Sequence, residues 1–324
     1  MTASYDVLGI GNAIVDVLAR TDDEFLRLNR LAKGAMSLID AERAEALYQT
    51  MRGSVEVSGG SCANTMAGVA SLGGKAAYVG KVGDDGLGWT FRHDIRAAGV
   101  AFDTPAATSG PPTARCLIFV TPDAQRTMNT YLGACVTLGP ADIDTDAVAA
   151  AKVTYIEGYL WDPPAAKAAV RKAIDAAHAA GRQVSLTLSD AFCVDRWRAE
   201  FLDLVRTQVD IVFANESELM SLYQTKTFDE ALQATRRDGK VAALTRSAKG
   251  SVVVRGEEVH VVDAAKVEKV VDTTGAGDLY AAGFLYGFTR DLPLAECARI
   301  GGVAAAEVIS HFGARPEKPL KTLL

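Results

Sequence analysis

Short runs of β-branched and other apolar residues alternate with longer alanine-rich segments along most of the chain. These runs predict strands over residues 5–10, 76–79, 153–157, 183–188, 211–214, 242–245 and 251–255. Helices are expected between them, for example over residues 164–180 and 279–289. Strands that alternate with helices predict an α/β fold, in which a mostly parallel central sheet is flanked by helices.

Two stretches depart from this alternation of strands and helices. Residues 12–19 alternate with period two, so that Asn12, Ile14, Asp16 and Leu18 share one face of a strand. Residues 116–120 and 126–131 predict a hairpin around the turn 121–124. Together they predict a small antiparallel β lid, discontinuous in sequence, formed by about 12–40 and 101–133 over a single domain that spans 1–324.

Composition narrows the possible partners and the compartment. The net charge is −6, from 34 basic and 40 acidic residues, so neither a nucleic-acid partner nor a membrane partner is expected. Five cysteines without a CxxC pair argue against a disulfide framework and a zinc site. The first residues lack the basic start of a signal peptide, and no apolar run reaches membrane-spanning length. We therefore expect a cytoplasmic protein that is a monomer or a homodimer.

The segment DTTGAGD at residues 272–278 precedes a helix of small residues. Consecutive amides in a glycine turn at a helix N-terminus form a site for anions, such as a transferring phosphoryl group. Asp278 then lies in the first helical turn and is placed to take a proton from an attacking hydroxyl, a contribution of about 10²–10⁴-fold. The alternative is that Asp278 is a simple helix N-cap. The GxxxxGK[ST] loop is absent, which excludes an ordinary P-loop.

A second glycine turn, Gly59 and Gly60, also leads into a helix of small residues. Asn64 lies about one turn into that helix and offers both a donor and an acceptor, which suits vicinal hydroxyls. Asp16 shares its strand face with Asn12 among apolar neighbours, and sugar hydroxyls would satisfy its carboxylate. The alternatives are a tight turn with a capping asparagine at Asn64 and a solvent-facing edge position for Asp16.

These two segments, 272–278 and GGSCANTMAGVASLGGKAAYVGKVGDDGLG at 59–88, resemble the two signatures of the PfkB family of carbohydrate kinases. Within that family, GNAIVDVLA at 11–19, residues 22–40 and the tail FGARPEKP at 312–319 are most similar to adenosine kinases. The resemblance implies a ribokinase-like three-layer sandwich with a β lid. It also implies transfer of the γ-phosphoryl group from ATP, with Mg²⁺, to the 5′-hydroxyl of a nucleoside, adenosine first.

The resemblance further implies roles for the acceptor side of the site. Asp278 would be the base that deprotonates the ribose 5′-hydroxyl. The anion hole would consist of Thr274, Gly275, Ala276 and Gly277. The ribose hydroxyls would be held by Asp16, Gly59, Gly60 and Asn64, with Asn12 nearby.

On the donor side, Asn215 and Glu218 match the N-x-x-E motif of the family, which influences Mg²⁺ and phosphate through water. They follow the strand 211–214, at the edge where parallel sheets bind ligands, although a helix cap is the alternative. Arg126 aligns with a lid arginine that reaches the phosphates. Thr245 and Gly250 flank a segment in which Ser247 replaces the first glycine of the ribokinase pattern T-x-G-x-x-G.

The base of the nucleoside is the least constrained part of the prediction. By alignment, the candidates for its pocket are Ile14, Cys116, Met128, Leu160 and Phe192, each of which is otherwise a core residue. Asp190 stands where adenosine kinases have an uncharged residue, and its carboxylate would suit the N1–H and amino group of guanine. It would equally cap the helix that contains Trp197. Guanosine or inosine kinase and a ribose or fructose kinase are therefore the alternatives to adenosine kinase.

Two functions from other classes fit less well. The segment GIGNAI at 9–14 follows the first strand like a dinucleotide fingerprint, but Ile14 occupies the third glycine position and would obstruct helix packing. A non-catalytic binding protein on a kinase fold would be expected to have lost Asp278 or the glycines before it, and both are present.

Overall fold

The computed structural model describes residues 3–123 and 125–324, so Ala124 of the predicted turn lies outside the described residues. The strands are β1 (Tyr5–Ile10), β2 (Ile14–Arg20), β3 (Met36–Leu38), β4 (Val55–Gly59), β5 (Ala76–Val79), β6 (Val100–Ala101), β7 (Ala114–Val120), β8 (Arg126–Tyr131), β9 (Ala151–Glu157), β10 (Gln183–Thr187), β11 (Ile211–Asn215), β12 (Val241–Thr245), β13 (Ser251–Arg255) and β14 (Glu258–Val262). All seven predicted strands are confirmed, with ends that differ by at most two residues.

The helices fill the connections between the strands. They are α1 (Asp23–Leu28), α2 (Ala41–Tyr48), α3 (Ser61–Ser71), α4 (Gly86–Ala97), α5 (Thr145–Ala149), α6 (Pro164–Ala179), α7 (Ala191–Thr207), α8 (Glu216–Tyr223), α9 (Phe228–Asp238), α10 (Ala276–Phe288) and α11 (Leu294–Val308). The predicted helix over 279–289 begins three residues earlier, at Ala276, so Asp278 lies within it. Among the described residues, no helix is long and apolar enough to cross a membrane.

Nine strands form the main sheet, in the order β14-β13-β12-β11-β10-β9-β1-β5-β6. The pairings from β6 to β12 are parallel, and β13 and β14 are antiparallel. The central strands are buried on both faces, which explains why they read as continuous apolar runs. The carboxyl ends of β1, β9, β10, β11 and β12 therefore meet at one edge of the sheet, where such folds bind ligands.

A separate hydrophobic cluster covers each face of the main sheet. One contains Met66 of α3, Phe284 of α10 and Ile300 of α11. The other contains Trp161 and Phe201 beneath α6 and α7. Truncating one of these aromatic side chains to alanine would cost about 3–5 kcal/mol. Helices on both faces of a mostly parallel sheet confirm the predicted three-layer α/β fold.

The five remaining strands form a second sheet, in the order β3-β8-β7-β2-β4. The predicted hairpin is confirmed, because β7 and β8 pair antiparallel, as do β2 and β4. The expectation that the whole sheet is antiparallel is wrong, because β2 pairs with β7, and β3 with β8, in parallel. Each of these pairs joins strands that are distant in sequence, and only such connections allow parallel pairing. The fifth strand, β4, comes from outside the segments 12–40 and 101–133. The predicted alternation is present within β2, with Val15 and Val17 buried and Asp16 on the opposite face. Asn12, which was expected on the same strand face, instead precedes the strand and contacts Glu157.

Candidate active site

Glu157 organises the loops at the carboxyl edge of the main sheet. Its carboxylate accepts hydrogen bonds from Asn12 Nδ2 (2.8 Å to Oε1) and from the backbone N–H of Cys62 (3.1 Å to Oε2). It thereby joins the loop after β1 to the start of α3. Burial raises the pKa of Glu157 to about 7, against the hydrogen bonds that lower it. The sequence analysis did not single out Glu157, although an acid that ends a buried strand is unusual enough to suggest it.

Asp278 lies at the centre of the site and is held by α3. Ser61 Oγ donates to its Oδ1 at 2.6 Å, and Asn64 Nδ2 donates to its Oδ2 at 3.0 Å. The N-cap position of α10 belongs to Gly275, so the alternative that Asp278 is the cap is wrong. Desolvation raises the pKa of Asp278, and the bonds from Ser61 and Asn64 and the charge of Arg315 oppose that rise. A raised pKa favours a general base, because it lies closer to the pH at which the enzyme works.

The glycine loop before Asp278 is open on the side of Gly277. Gly275 adopts a left-handed conformation (φ 78°), and a Cβ there would lie 2.9 Å from Ala314 Cα. A Cβ on Gly277 would meet nothing within 4 Å, so a ligand has room beside this backbone. Gly277 and Asp278 are the second and third residues of α10, whose N–H groups have no partner within a helix. These amides and the helix dipole suit an anion.

Arg126 of β8 contacts this same loop. Its Nη1 donates to Asp272 and to Thr274 Oγ1, the latter at 2.6 Å. Asp272 also accepts the backbone N–H of Gly313 at 3.0 Å. Burial alone would raise the pKa of Asp272, but hydrogen bonds from Gly313 and Thr274 and the Arg126 charge hold it below its usual value. The second sheet is thus tied to the loop through an ion pair that is almost fully buried.

Asp16 faces the site from the second sheet. A Cβ on Gly59 would lie 2.5 Å from the Asp16 carboxyl carbon, so only glycine allows this approach. Desolvation raises the pKa of Asp16 to about 6, although Arg126 and Arg315 lower it. No group of the described residues donates a hydrogen bond to this carboxyl, so its oxygens are available to ligand hydroxyls. Gly60, at φ 91°, turns the chain from β4 into α3.

Asn215 and Glu218 form a reciprocal capping box at the start of α8. The Asn215 side chain accepts the N–H of Glu218 at 2.9 Å, and the Glu218 carboxylate accepts the N–H and Nδ2 of Asn215 at 3.0 and 2.6 Å. The structure therefore shows the helix cap that was the alternative for this motif. Burial raises the pKa of Glu218 to about 7. Each Glu218 carboxylate oxygen thus accepts one hydrogen bond from Asn215.

The segment after β12 lies at the same edge of the sheet. Thr245 ends that strand, and the N–H of Arg246 donates to the carbonyl of Gly250 at 2.8 Å. Ser247, which replaces a family glycine, adopts φ 52°, in the left-handed region that glycine favours. Ser247 therefore adopts a conformation that a glycine at this position would adopt without strain.

The candidates for the base pocket fall into two groups. Ile14, Cys116 and Met128 share the sheet face of Asp16, and Cys116 Sγ accepts a hydrogen bond from Thr130 Oγ1 at 3.3 Å. In the main domain, Leu160 is fully buried in the core cluster, whereas Phe192 at the start of α7 is 77% exposed. Nearby, Asp190 caps α7 by accepting the N–H of Cys193 at 2.6 Å. The capping alternative for Asp190 is therefore present in the structure.

Arg315, in the segment after α11, also reaches the site and was missed in the sequence. Its Nε donates to Asn64 Oδ1 at 2.8 Å, and Nη2 donates to Ser58 Oγ at 3.2 Å. Desolvation lowers the pKa of Arg315 to about 10, so it remains charged at neutral pH. Its membership in the tail 312–319 was the available signal, but nothing in the sequence shows where its side chain points.

Similarity to known proteins extends over nearly the whole chain. The profile of the pfkB family carbohydrate kinases matches residues 34–321. The adenosine kinase of Sinorhizobium meliloti is 60% identical, with a TM-score of 0.92 over 99% of this chain and 98% of that one. A probable sugar kinase protein from Rhizobium etli is 56% identical, with a TM-score of 0.93 over 99% of this chain and 98% of that one. Adenosine kinase 2 of Arabidopsis thaliana is 26% identical over 98% of both chains. This chain therefore belongs to the pfkB family of carbohydrate kinases, phosphotransferases that act on a hydroxyl group.

Proposed function

We propose that this kinase transfers the γ-phosphoryl group of ATP to the ribose 5′-hydroxyl of a nucleoside, and that adenosine, converted to AMP, is its main acceptor. The observation that carries the proposal is the placement of Asp278 at an open anion loop, held by Ser61 and Asn64 and close enough to Asp16 for their charges to interact. The 60% identity to an adenosine kinase over nearly the whole chain supports the choice of acceptor.

The proposed transfer takes place in a single step. The 5′-oxygen attacks the γ-phosphorus, its proton passes to the Asp278 carboxylate, and the bond from phosphorus to the bridging oxygen breaks, so that ADP leaves. Asp16 accepts hydrogen bonds from the ribose hydroxyls and orients the nucleoside. Orientation of this kind is a large part of catalysis in phosphoryl transfer.

The transferring group would lie against the amides of Gly277 and Asp278, where the open space beside Gly277 accommodates it. Arg126 is within reach of the same loop and would exchange part of its contact with Thr274 for the phosphates. Mg²⁺, when bound with ATP, neutralises phosphate charge, and Glu218 would influence it through water. Mg²⁺ that arrives with ATP would be held mainly by phosphates and water.

The test is the release of ADP from ATP and Mg²⁺ by the purified protein, with adenosine, guanosine, inosine, cytidine, ribose and fructose offered one at a time. The proposal predicts the highest kcat/KM with adenosine and loss of transfer when EDTA is added. A preference for guanosine or inosine would keep the chemistry and change the nucleoside. Turnover with free sugars alone would overturn the nucleoside assignment.

With adenosine as acceptor, the enzyme would serve purine salvage in the cytoplasm, as a monomer or homodimer.

A further inference from the structure

Arg315 is held in place from both sides along the chain. On one side, the N–H of Gly313 donates to Asp272, and Ala314 packs against Gly275 of the glycine loop. On the other side, the Glu307 carboxylate of α11 accepts the N–H groups of residues 317 and 318 at 3.1 and 3.0 Å. The backbone of this segment is therefore fixed relative to the loop that carries Asp278.

The Arg315 side chain determines how the Asn64 amide is oriented. A guanidinium carries donors and no acceptor, so the Asn64 atom at 2.8 Å from Nε must be the carbonyl oxygen. The amide nitrogen of Asn64 then points to Asp278, where it donates to Oδ2 at 3.0 Å. The hydrogen bonds thus run in one direction, from Arg315 to Asn64 to Asp278. The second Arg315 bond, to Ser58 Oγ, fixes the plane of the guanidinium.

The charge of Arg315 acts on the same carboxylate. It lowers the pKa of Asp278 and of Asp16, against the desolvation that raises both. The acidic groups that interact electrostatically with Asp278 come from β2, α3, β9 and α8, and none of them favours its ionised form. Cys62 and Tyr155 are neutral, because burial raises the pKa of each well above its usual value, whereas Asp16, Glu157 and Glu218 are carboxyl groups that repel the Asp278 carboxylate when ionised. Arg315 supplies positive charge that offsets these carboxyl groups.

We propose that Arg315 is a positioning residue for the phosphoryl transfer, which acts through Asn64 to fix the Asp278 carboxylate and through its charge to keep that carboxylate ionised. The inference rests on the proposed role of Asp278 as the base. The C-terminal segment thereby has a role in the site, because it supplies Arg315, which lies 251 residues after Asn64 in the sequence.

The test compares four variants with the native enzyme: Arg315→Met, Arg315→Lys, Asn64→Ala and the double variant Arg315→Met with Asn64→Ala. Arg315→Met should lower kcat by about 10–100-fold, with a smaller change in the KM for adenosine, because the base is misplaced. The acid limb of its pH profile for kcat/KM should move to higher pH. Arg315→Lys should keep the acid limb near its native position, because the charge remains, and should still lower kcat, because the fork to Asn64 and Ser58 is lost.

At a pH well above the acid limb, where Asp278 is ionised with or without the Arg315 charge, Arg315→Met in the Asn64→Ala background should change kcat by no more than about twofold, because the contact with Asn64 is already absent. Arg299→Met, which removes an exposed arginine paired with Glu296 on α11, is the matched control and should leave kcat unchanged. Equal kcat losses from Arg315→Met in both backgrounds, or an acid limb that does not move, would overturn the inference. Asp278→Asn distinguishes the two proposals, because its failure to lower kcat would refute the base itself. If Arg315→Met does not fold, Arg315→Lys alone and combined with Asn64→Ala gives the same comparison of kcat.

Discussion

Replacing Gly60 by alanine tests the geometry of the turn that brings α3 to the site. Gly60 has φ 91° and ψ 133°, a backbone conformation that residues other than glycine adopt at a cost of about 1–3 kcal/mol. A Cβ would also lie 2.4 Å from the carbonyl oxygen of Asn12, and relieving that overlap costs about 1–3 kcal/mol more. Gly60→Ala should therefore lower the free energy of unfolding by about 2–6 kcal/mol.

The matched control is Gly53→Ala. Gly53 also has positive φ, at 67°, but a Cβ there meets nothing within 4 Å, so the expected loss is about 1 kcal/mol. For a chain of 324 residues, the entropy of unfolding is about 0.7 kcal/mol per kelvin. Calorimetry should thus show a Tm decrease of about 3–9 °C for Gly60→Ala and about 1–2 °C for Gly53→Ala.

Activity should follow stability in this pair. The Gly60 carbonyl accepts the N–H of Asn64, so a displaced turn also moves Ser61 and Asn64 away from Asp278. Turnover should fall in Gly60→Ala and stay native in Gly53→Ala when both are measured well below their Tm. Equal melting temperatures for the two variants would refute the argument that the Asn12 carbonyl leaves no space at this turn.

Three further predictions concern other contacts. Burial raises the pKa of Glu157 from 4.5 to about 7, so its contribution to the free energy of unfolding should fall by about 3 kcal/mol from pH 4 to pH 8. In urea titrations, Glu157→Gln should remove this dependence of the unfolding free energy on pH. An unchanged pH dependence would contradict the raised pKa. Arg126→Met should lower kcat at least about 10-fold, because it removes a positive charge from the anion loop. The affinity for adenosine, measured by calorimetry, should stay native. A native kcat would exclude a role for Arg126 at the phosphates. Asp190→Ala should lower the free energy of unfolding by about 1 kcal/mol, because it removes the N-cap that accepts the N–H of Cys193. The ranking of purine nucleosides by kcat/KM should stay the same. A new ranking would show that Asp190 contacts the base.

The main sheet is predictable from the sequence because its physical cause is local. A parallel strand covered on both faces must be apolar throughout, and the runs that became β9 and β11 show this without any knowledge of their neighbours. The two glycine loops are also visible, since close approach and positive φ restrict the residue type.

The contacts that complete the site are not local, which is why the sequence did not reveal them. Ser61 and Asp278 are separated by 217 residues, and Arg315 and Asn64 by 251. An exposed arginine and a buried one look the same in a sequence, so only the fold shows that Arg315 points inward. The strand β4 was missed for a related reason, because its residues are partly exposed and too few to form a clear alternation.

The most direct test of the account is Asp278→Asn, with the exposed Asp203→Asn of α7 as control. The amide keeps the size of the side chain and cannot take the proton, so kcat with ATP, Mg²⁺ and the acceptor chosen from the panel should fall at least about 100-fold. Calorimetric affinity for that acceptor should stay within a few-fold of native, and Asp203→Asn should match the native enzyme in both measurements. Native turnover by Asp278→Asn would contradict the assignment of Asp278 as the base, whichever acceptor the enzyme uses.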